Sequence, residues 1–227
     1  MRTASSSAGW TPPQAGAVTG LILAGGLARR MGGVDKGLQA FRGAPLVLHV
    51  LLRLQQQRGG WIGAHMINAN RNLAAYEALG VPVWPDVLKG HAGPLAGMLT
   101  GLLHADTPWL LVVPCDSPLL PLDLADRLAQ AVLRTRADLA VAAAPESDGQ
   151  LRPQPVFCLL GTHLLESLQA FVQGGGRKID AWTAQLATVV VPFDAPHDDP
   201  LAFANVNTLP QLHALAAAAP RNPSPLA

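Results

Sequence analysis

Continuous apolar runs alternate with amphipathic stretches along most of this chain, and their periods predict its elements. Ala17 to Leu23 is an apolar run with Thr19 its one polar side chain, the pattern of a strand buried on both faces. Pro45 to Gln57 repeats leucine and valine at helical spacing, Trp61 to Ile67 predicts a second strand, and Leu73 to Leu79 a short helix. Val81 to Trp84 predicts a third strand, Pro94 to His104 an apolar helix, and Trp109 to Val113 a fourth strand. A helix over Leu122–Arg136 and a strand over Leu139–Ala144 come after it. The later part is less regular: a strand over Pro155–Leu160, a helix over Thr162–Val172 and a basic loop, Gly174-Gly175-Gly176-Arg177-Lys178. A helix over Ile179–Leu186 and a strand over Thr188–Val191 come next, and Thr208-x-x-Gln211 is a capping box opening a last helix to about Ala218. Strands alternating with helices predict right-handed crossovers and a three-layer α/β architecture with a mostly parallel central sheet.

Length and composition narrow the class. The chain has 227 residues, 49% of them apolar and 14% charged, which suits one globular domain, expected over residues 17–219. The Ser-, Pro- and Gly-rich start, residues 1–16, is expected to be a disordered leader, and residues 220–227 a loose tail. A formal net charge of +1 gives no chain-wide attraction to nucleic acid or anionic membrane, so any anion site must be local. With no membrane-length apolar run and no signal-peptide pattern, a cytoplasmic protein is expected. The two cysteines, Cys115 and Cys158, lie in separate apolar runs and are expected to be reduced core thiols. Without Cys-x-x-Cys spacing structural zinc is not expected, and the seven scattered histidines carry no assigned role.

The local chemistry is concentrated just after the first strand, in Leu23-Ala24-Gly25-Gly26-Leu27-Ala28-Arg29-Arg30-Met31-Gly32-Gly33-Val34-Asp35-Lys36. Gly25 and Gly26 let the backbone turn sharply and approach a ligand, while Arg29, Arg30 and Lys36 place cations beside the bend. Such a loop suits a polyphosphate, which accepts both charge-assisted and backbone hydrogen bonds. It is not a Walker A loop, since Gly37 succeeds Lys36, and the adjacent glycines do not fit G-x-G-x-x-G. On residue chemistry alone, a glycine-rich surface turn with solvated arginines stays open.

Ligands of open parallel sheets bind outside the carboxyl ends of the strands. Here the first strand leads to Gly25 and Gly26, the second to Asn68 and Asn70, the third to Asp86 and the fourth to Cys115-Asp116-Ser117. Asp116 leaves the core after Leu110-Leu111-Val112-Val113-Pro114-Cys115, where a carboxylate would repel a polyphosphate unless a hard cation lay between them. Mg²⁺ meets that need, binding one or two carboxylates and completing its shell with phosphate oxygens and water. Asn205 and Asn207 are further candidate oxygen donors to the metal. Each has an ordinary alternative: Asp116 as an N-cap of the next helix, the asparagines as turn and capping residues. Asp198 and Asp199, in a Pro-flanked loop, are expected to be solvated.

The stretch Leu23-Ala24-Gly25-Gly26-x-x-x-Arg30-Met31-Gly32-x-x-Asp35-Lys36 resembles the signature of molybdenum cofactor guanylyltransferases, nucleotidyltransferases with a Rossmann-like fold. Ile67-Asn68-Ala69-Asn70-Arg71, Trp84-Pro85-Asp86, Gly93-Pro94-Leu95-Ala96-Gly97-Met98, Pro114-Cys115-Asp116 and Asn205-Val206-Asn207-Thr208 continue the resemblance in order, over roughly residues 17–218. The resemblance implies transfer of GMP from GTP to the phosphate of molybdopterin, with Mg²⁺, releasing pyrophosphate. It further implies that Leu23, Ala24, Gly25 and Gly26 bind the nucleotide, the first three through their backbone. Lys36 would meet its phosphates, Asn68 and Asp86 its nucleoside, and Asp116 the metal, with Arg30 and Lys36 beside it as catalytic cations. The implied partners are GTP, molybdopterin, and the molybdoenzymes or their chaperones that take the product. Arg177 and Lys178 are candidates for the pterin phosphate, with a solvated basic loop as the alternative. Ala28 departs from the serine common in relatives, at the cost of one hydroxyl contact. Two rivals differ in consequence: a cytidylyl- or sugar-phosphate nucleotidyltransferase of the same fold, and a nucleotide-binding regulatory module without catalysis.

Overall fold

In the computed structural model, residues 9–24, 35–88, 93–146 and 148–218 are described. The predicted elements fall close to where the apolar periods put them, and two unpredicted two-residue strands are added between residues 40 and 45. In chain order they are strands β1 (Val18–Leu23), β2 (Ala40–Phe41), β3 (Ala44–Pro45), helix α1 (Leu46–Gln55), β4 (Ile62–Asn68), α2 (Leu73–Glu77) and β5 (Val83–Trp84). Then come α3 (Pro94–His104), β6 (Trp109–Pro114), α4 (Leu124–Thr135), β7 (Leu139–Pro145), β8 (Leu151–Gly161), α5 (Leu165–Gln173), α6 (Ile179–Thr183), β9 (Thr188–Pro192) and α7 (Leu209–Ala218).

Among the described residues seven strands form one sheet in the order β5-β4-β1-β6-β8-β7-β9. Pairing is parallel from β5 through β6 and between β7 and β9, while β8 runs antiparallel to both its neighbours. Strand residues alternate between two cores. Ile22, Leu111 and Val113 pack under α1 and α4, and Leu21, Leu110 and Val112 pack under α3, α5 and α6. Alternation within uniformly apolar strands is what a sheet covered on both faces requires. A third cluster joins Phe41 and Leu46 to Val206, Leu212 and Leu215, and so docks α7 and the segment before it beside the β2–β3 hairpin.

Three local expectations are corrected. Residues 9–16, expected inside a disordered leader, pack against the sheet: Trp10 Nε1 donates to Ala137 O (3.1 Å), and Trp109 Nε1 to Thr11 O (2.9 Å). The Thr11 carbonyl gives the buried Trp109 indole N–H its acceptor, and the Trp10 ring packs edge-on against Trp109. Residues 1–8 and the tail from 219 onward lie outside the described residues. The strand expected over Pro155–Leu160 spans Leu151–Gly161, because its first residues pair with Ala143–Pro145 as a hairpin. Asp198, expected to be solvated, is 11% exposed and accepts from Arg127 Nη1 at 2.7 Å, while the Arg127 guanidinium lies over the Phe193 ring.

Candidate active site

The register of the parallel strands decides which residues meet at the carboxyl edge. Leu23 pairs with Asn68 on one side and Pro114 on the other, and Asn68 pairs with Trp84. The chain therefore leaves four neighbouring strands at one level, and the segments leaving those strand ends share one rim. Backbone bonds carry the register one residue further: Ala24 N donates to Asn68 O (2.8 Å), Ala69 N to Trp84 O (3.1 Å) and Cys115 N to Leu23 O (3.0 Å). These bonds change one expectation. The N–H of Ala24 and the carbonyl of Leu23 are taken by the sheet, so only their remaining backbone groups are left for a nucleotide. Gly25, Gly26 and Arg30 lie outside the described residues.

Lys36 opens a short 3₁₀ turn, Lys36–Leu38, and its ammonium donates to Asp116 Oδ2 at 2.8 Å and to Asn207 Oδ1 at 2.7 Å. Three segments far apart in sequence thus converge on one nitrogen. Asp116 emerges from β6 as predicted, and its carbonyl accepts from Val206 N at 3.0 Å. That bond, with burial of Val206 in the third core cluster, lays Asn205-Val206-Asn207 along Asp116-Ser117. Asn205 Oδ1 accepts from the buried Ser117 hydroxyl at 2.6 Å, so this oxygen faces Ser117. The capping alternatives are not what the structure contains. Helix α4 begins at Leu124 with Asp123 at its N-cap position, and Asn207 receives Lys36 while Thr208 caps α7. The capping box is half as expected: Gln211 N donates to Thr208 Oγ1, while Gln211 Oε1 accepts from the N–H of Asn207, one residue before the cap.

The other half of the rim is a closed polar trio. Asp86 Oδ1 accepts from Asn68 Nδ2 and Asp86 Oδ2 from Asn70 Nδ2, both at 2.9 Å, and Asp86 N donates to Asn70 Oδ1 at 2.8 Å. Asn68 Nδ2 also donates to Trp84 O at 3.0 Å. The carboxylate is thereby held in one orientation on the half-buried rim. Beneath it, helix α3 comes so close that a Cβ on Gly97 would lie 2.4 Å from Asn68 Oδ1.

Electrostatics separate reactive groups from packing groups. Asp116 Oδ1 is buried and has no hydrogen-bond partner among the described residues. Leaving a buried acceptor unmatched costs about 1–3 kcal/mol, and more for a charge. A carboxylate with one orphaned oxygen, reached by the same ammonium as the Asn207 amide oxygen, offers the oxygen donors a hard cation takes, so Asp116 and Asn207 fit Mg²⁺. Among the described residues no three His, Cys, Asp or Glu side chains group as a metal cage, so most of the shell would come from phosphate and water. Burial, and then the neighbouring Asp116 charge, push the Cys115 thiol far up, and burial pushes Cys158 up to about 12. Both stay protonated at neutral pH, and both are free and buried. Arg177 and Lys178 are exposed between α5 and α6, and donate to no described residue.

Sequence reasoning missed Asn72 and Tyr76 and gave Asp35 no role of its own. Tyr76 OH donates to Asp35 Oδ1 at 2.5 Å and Asn72 Nδ2 to Asp35 Oδ2 at 3.0 Å. The available signal was weak: an acidic residue next to Lys36, and the chain's single tyrosine on a short helix.

Comparison with known proteins agrees with this geometry. Residues 20–189 match the MobA-like NTP transferase domain. A molybdenum cofactor guanylyltransferase of Acidovorax sp. (strain JS42) is 67% identical over 203 residues, covering 87% of this chain and 94% of the relative. One from Bordetella petrii is 58% identical over 198 residues, with 87% and 96% covered. Among solved structures, molybdopterin-guanine dinucleotide biosynthesis protein A from Archaeoglobus fulgidus superposes with a TM-score of 0.70 at 20% identity, covering 88% of this chain and 97% of that one. A 4-diphosphocytidyl-2C-methyl-D-erythritol synthase from Anaerococcus prevotii gives 0.67 at 10% identity, with 88% and 94% covered, a likeness of fold alone. Motif order, strand-end register and sequence identity converge, and this chain belongs to the molybdenum cofactor guanylyltransferases, within the MobA-like nucleotidyltransferase family.

Proposed function

We propose that this chain transfers GMP from GTP to the phosphate of molybdopterin, using Mg²⁺ and releasing pyrophosphate. The single observation that carries the reading is the convergence of Lys36, Asp116 and Asn207 on one rim, level with the Asn68–Asn70–Asp86 trio. One end of this rim offers charge for a triphosphate, and the other a fixed carboxylate for a nucleoside. Asp86 accepts from guanine N1–H and N2–H₂ or from ribose hydroxyls, with Asn68 and Asn70 holding its orientation. Lys36 neutralises phosphate oxygens, joined by Arg30 and by the backbone of Gly25 and Gly26.

In the reaction an oxygen of the pterin phosphate attacks the α-phosphorus of GTP. A new P–O bond forms, the bond from the α-phosphorus to the bridging oxygen breaks, and pyrophosphate leaves with the electron pair. The acceptor phosphate is already ionised near neutral pH, so the residues need not supply a general base. Their task is to bring two polyanions together and to stabilise charge on the phosphoryl oxygens. Asp116 and Asn207, with Asn205 beside them, would hold the divalent ion, which when bound screens the phosphates and the departing pyrophosphate. Arg177 and Lys178 serve the acceptor phosphate. Two buried free thiols suit a reducing compartment, and we assign the enzyme to the cytoplasm, where it hands its product to molybdoenzymes or their chaperones. Among the described residues no helix is long and apolar enough to cross a membrane.

The test is incubation with molybdopterin, GTP and Mg²⁺, monitoring pyrophosphate and the guanine dinucleotide. A parallel thermal-shift series with GTP, CTP and ATP reads the base preference. Stabilisation by CTP alone overturns the guanine assignment, and nucleotide binding without any transfer overturns the enzymatic one.

A further inference from the structure

Lys36 is fixed from both sides in sequence. Before it, the Asp35 carboxylate accepts one bond from Tyr76 OH (2.5 Å) and one from Asn72 Nδ2 (3.0 Å), both donors belonging to the start and body of α2. After it, Gly37 is wedged so tightly that a Cβ there would lie 2.6 Å from the Tyr76 hydroxyl and 3.4 Å from Cys115 Sγ. The turn itself is closed by Leu38 N on Asp35 O (3.3 Å), Gln39 N on Lys36 O (3.1 Å) and Gln39 Nε2 on Asp35 O (3.2 Å). Tyr76 therefore touches the residue on each side of the lysine, although it lies 41 positions beyond Asp35.

We propose that Tyr76 is a positioning residue for the transfer reaction: through Asp35 its hydroxyl sets the turn from which Lys36 reaches the triphosphate. The proposal rests on the reading of Lys36 as the phosphate-binding cation. A core tyrosine only needs one acceptor to satisfy its hydroxyl. Here the acceptor is a carboxylate also held by Asn72, and the same hydroxyl abuts Gly37. Two anchors on one carboxylate define both position and rotation, whereas a single bond leaves a hinge. Burial, and then the bond to Asp35, push the phenol far above its ordinary range, so it remains a donor at every working pH. The lysine stem is long and flexible: Asp116 and Asn207 hold its tip, and the Asp35 anchor holds the backbone it springs from, which keeps the ammonium on this rim when a triphosphate draws the tip away.

The test is a double-mutant cycle on GTP affinity, with transfer rate measured alongside. Tyr76→Phe removes the hydroxyl and keeps the buried ring. It is expected to weaken GTP binding and slow transfer, each by roughly tenfold. In the Lys36→Met background the same change is expected to have no further effect on GTP affinity, because the residue it positions is gone. Asn72→Ala, on the exposed side of the carboxylate, should act in the same direction and covers the case in which Tyr76→Phe does not fold. Asp35→Asn keeps an acceptor for the phenol and should retain most of the activity that Asp35→Ala loses. Equal losses from Tyr76→Phe in both backgrounds, or lowered stability with unchanged GTP affinity and rate, overturn the proposal and leave Tyr76 as core packing. If Lys36→Met itself leaves GTP affinity and transfer intact, the phosphate reading of Lys36 fails first and the role of Tyr76 falls with it.

Discussion

The Lys36 ammonium donates to Asp116 Oδ2 at 2.8 Å and to Asn207 Oδ1 at 2.7 Å, while the other oxygen of the same carboxylate, Oδ1, has no partner among the described residues. The pair is mostly shielded, at 17% exposure for the lysine side chain and 14% for the aspartate. A divalent ion held by Asp116 and Asn207, as proposed, would share that carboxylate and amide with the ammonium and be repelled by its charge, so in the free protein the lysine would compete with the metal. A bound triphosphate would offer the lysine other oxygens, and so couple the binding of metal and nucleotide.

Lys36→Met should therefore bind Mn²⁺ more tightly than the parent protein when nucleotide is absent, by roughly tenfold, the effect of about 1.4 kcal/mol. GTP affinity should fall in the same variant. Asp116→Ala should lose both metal binding and transfer while still folding. Electron paramagnetic resonance of free Mn²⁺ and calorimetric GTP titration read these outcomes. Unchanged transfer in Asp116→Ala removes the metal assignment.

At the nucleoside end, Asp86→Ala takes away the acceptor that Asn68 and Asn70 hold at 2.9 Å. GTP affinity should drop by about 1–3 kcal/mol, the cost of leaving polar partners unmatched. The comparison with CTP is decisive. A loss confined to GTP assigns Asp86 to the base, and an equal loss for both nucleotides assigns it to the ribose.

Gly97 lets α3 approach the same trio. A methyl group there would lie 2.4 Å from Asn68 Oδ1 and 2.6 Å from Leu23 Cδ2. Gly97→Ala should destabilise the fold by about 1–3 kcal/mol, the range for overpacking a filled core, despite the better helix propensity of alanine. GTP affinity should fall with it, since Asn68 must move. Thermal melting and GTP titration measure the two losses separately.

Stability should decline on mild acidification. Burial holds the His65 imidazole below its ordinary pKa of 6.5, and its Nε2 has no partner among the described residues. His49 is lowered for the same leading reason. The folded state favours the neutral rings, whereas the unfolded chain takes up protons near pH 6.5. Their contribution is therefore complete above that pH and lost as pH falls through the lowered folded-state values. His65→Phe should flatten part of the fall in melting temperature between pH 7.5 and 5.5, as read by calorimetry at fixed ionic strength.

Local pattern was enough for the elements and for the polar edge. The continuous apolar runs at Val18–Leu23 and Trp109–Pro114 announce doubly covered strands, because each side of such a strand must meet a hydrophobic layer. Asn68, Asp86 and Asp116 were legible because each comes at or just after a strand end, where a parallel sheet exposes its binding edge. A polar edge shared by four strand ends was expected from the α/β pattern, but which side chains touch across it was not legible. That Asp116 faces Lys36 and Asn207, separated from it by 80 and 91 positions, depends on strand order and on the docking of Val206. The antiparallel insertion of β8, the packing of residues 9–16 and the grip of Tyr76 on Asp35 are likewise outcomes of tertiary packing. Periodicity records which face of an element meets apolar surroundings, but it does not say which neighbour supplies them. That choice belongs to the whole chain, where burial of all the apolar faces and satisfaction of all the buried polar groups are met at once.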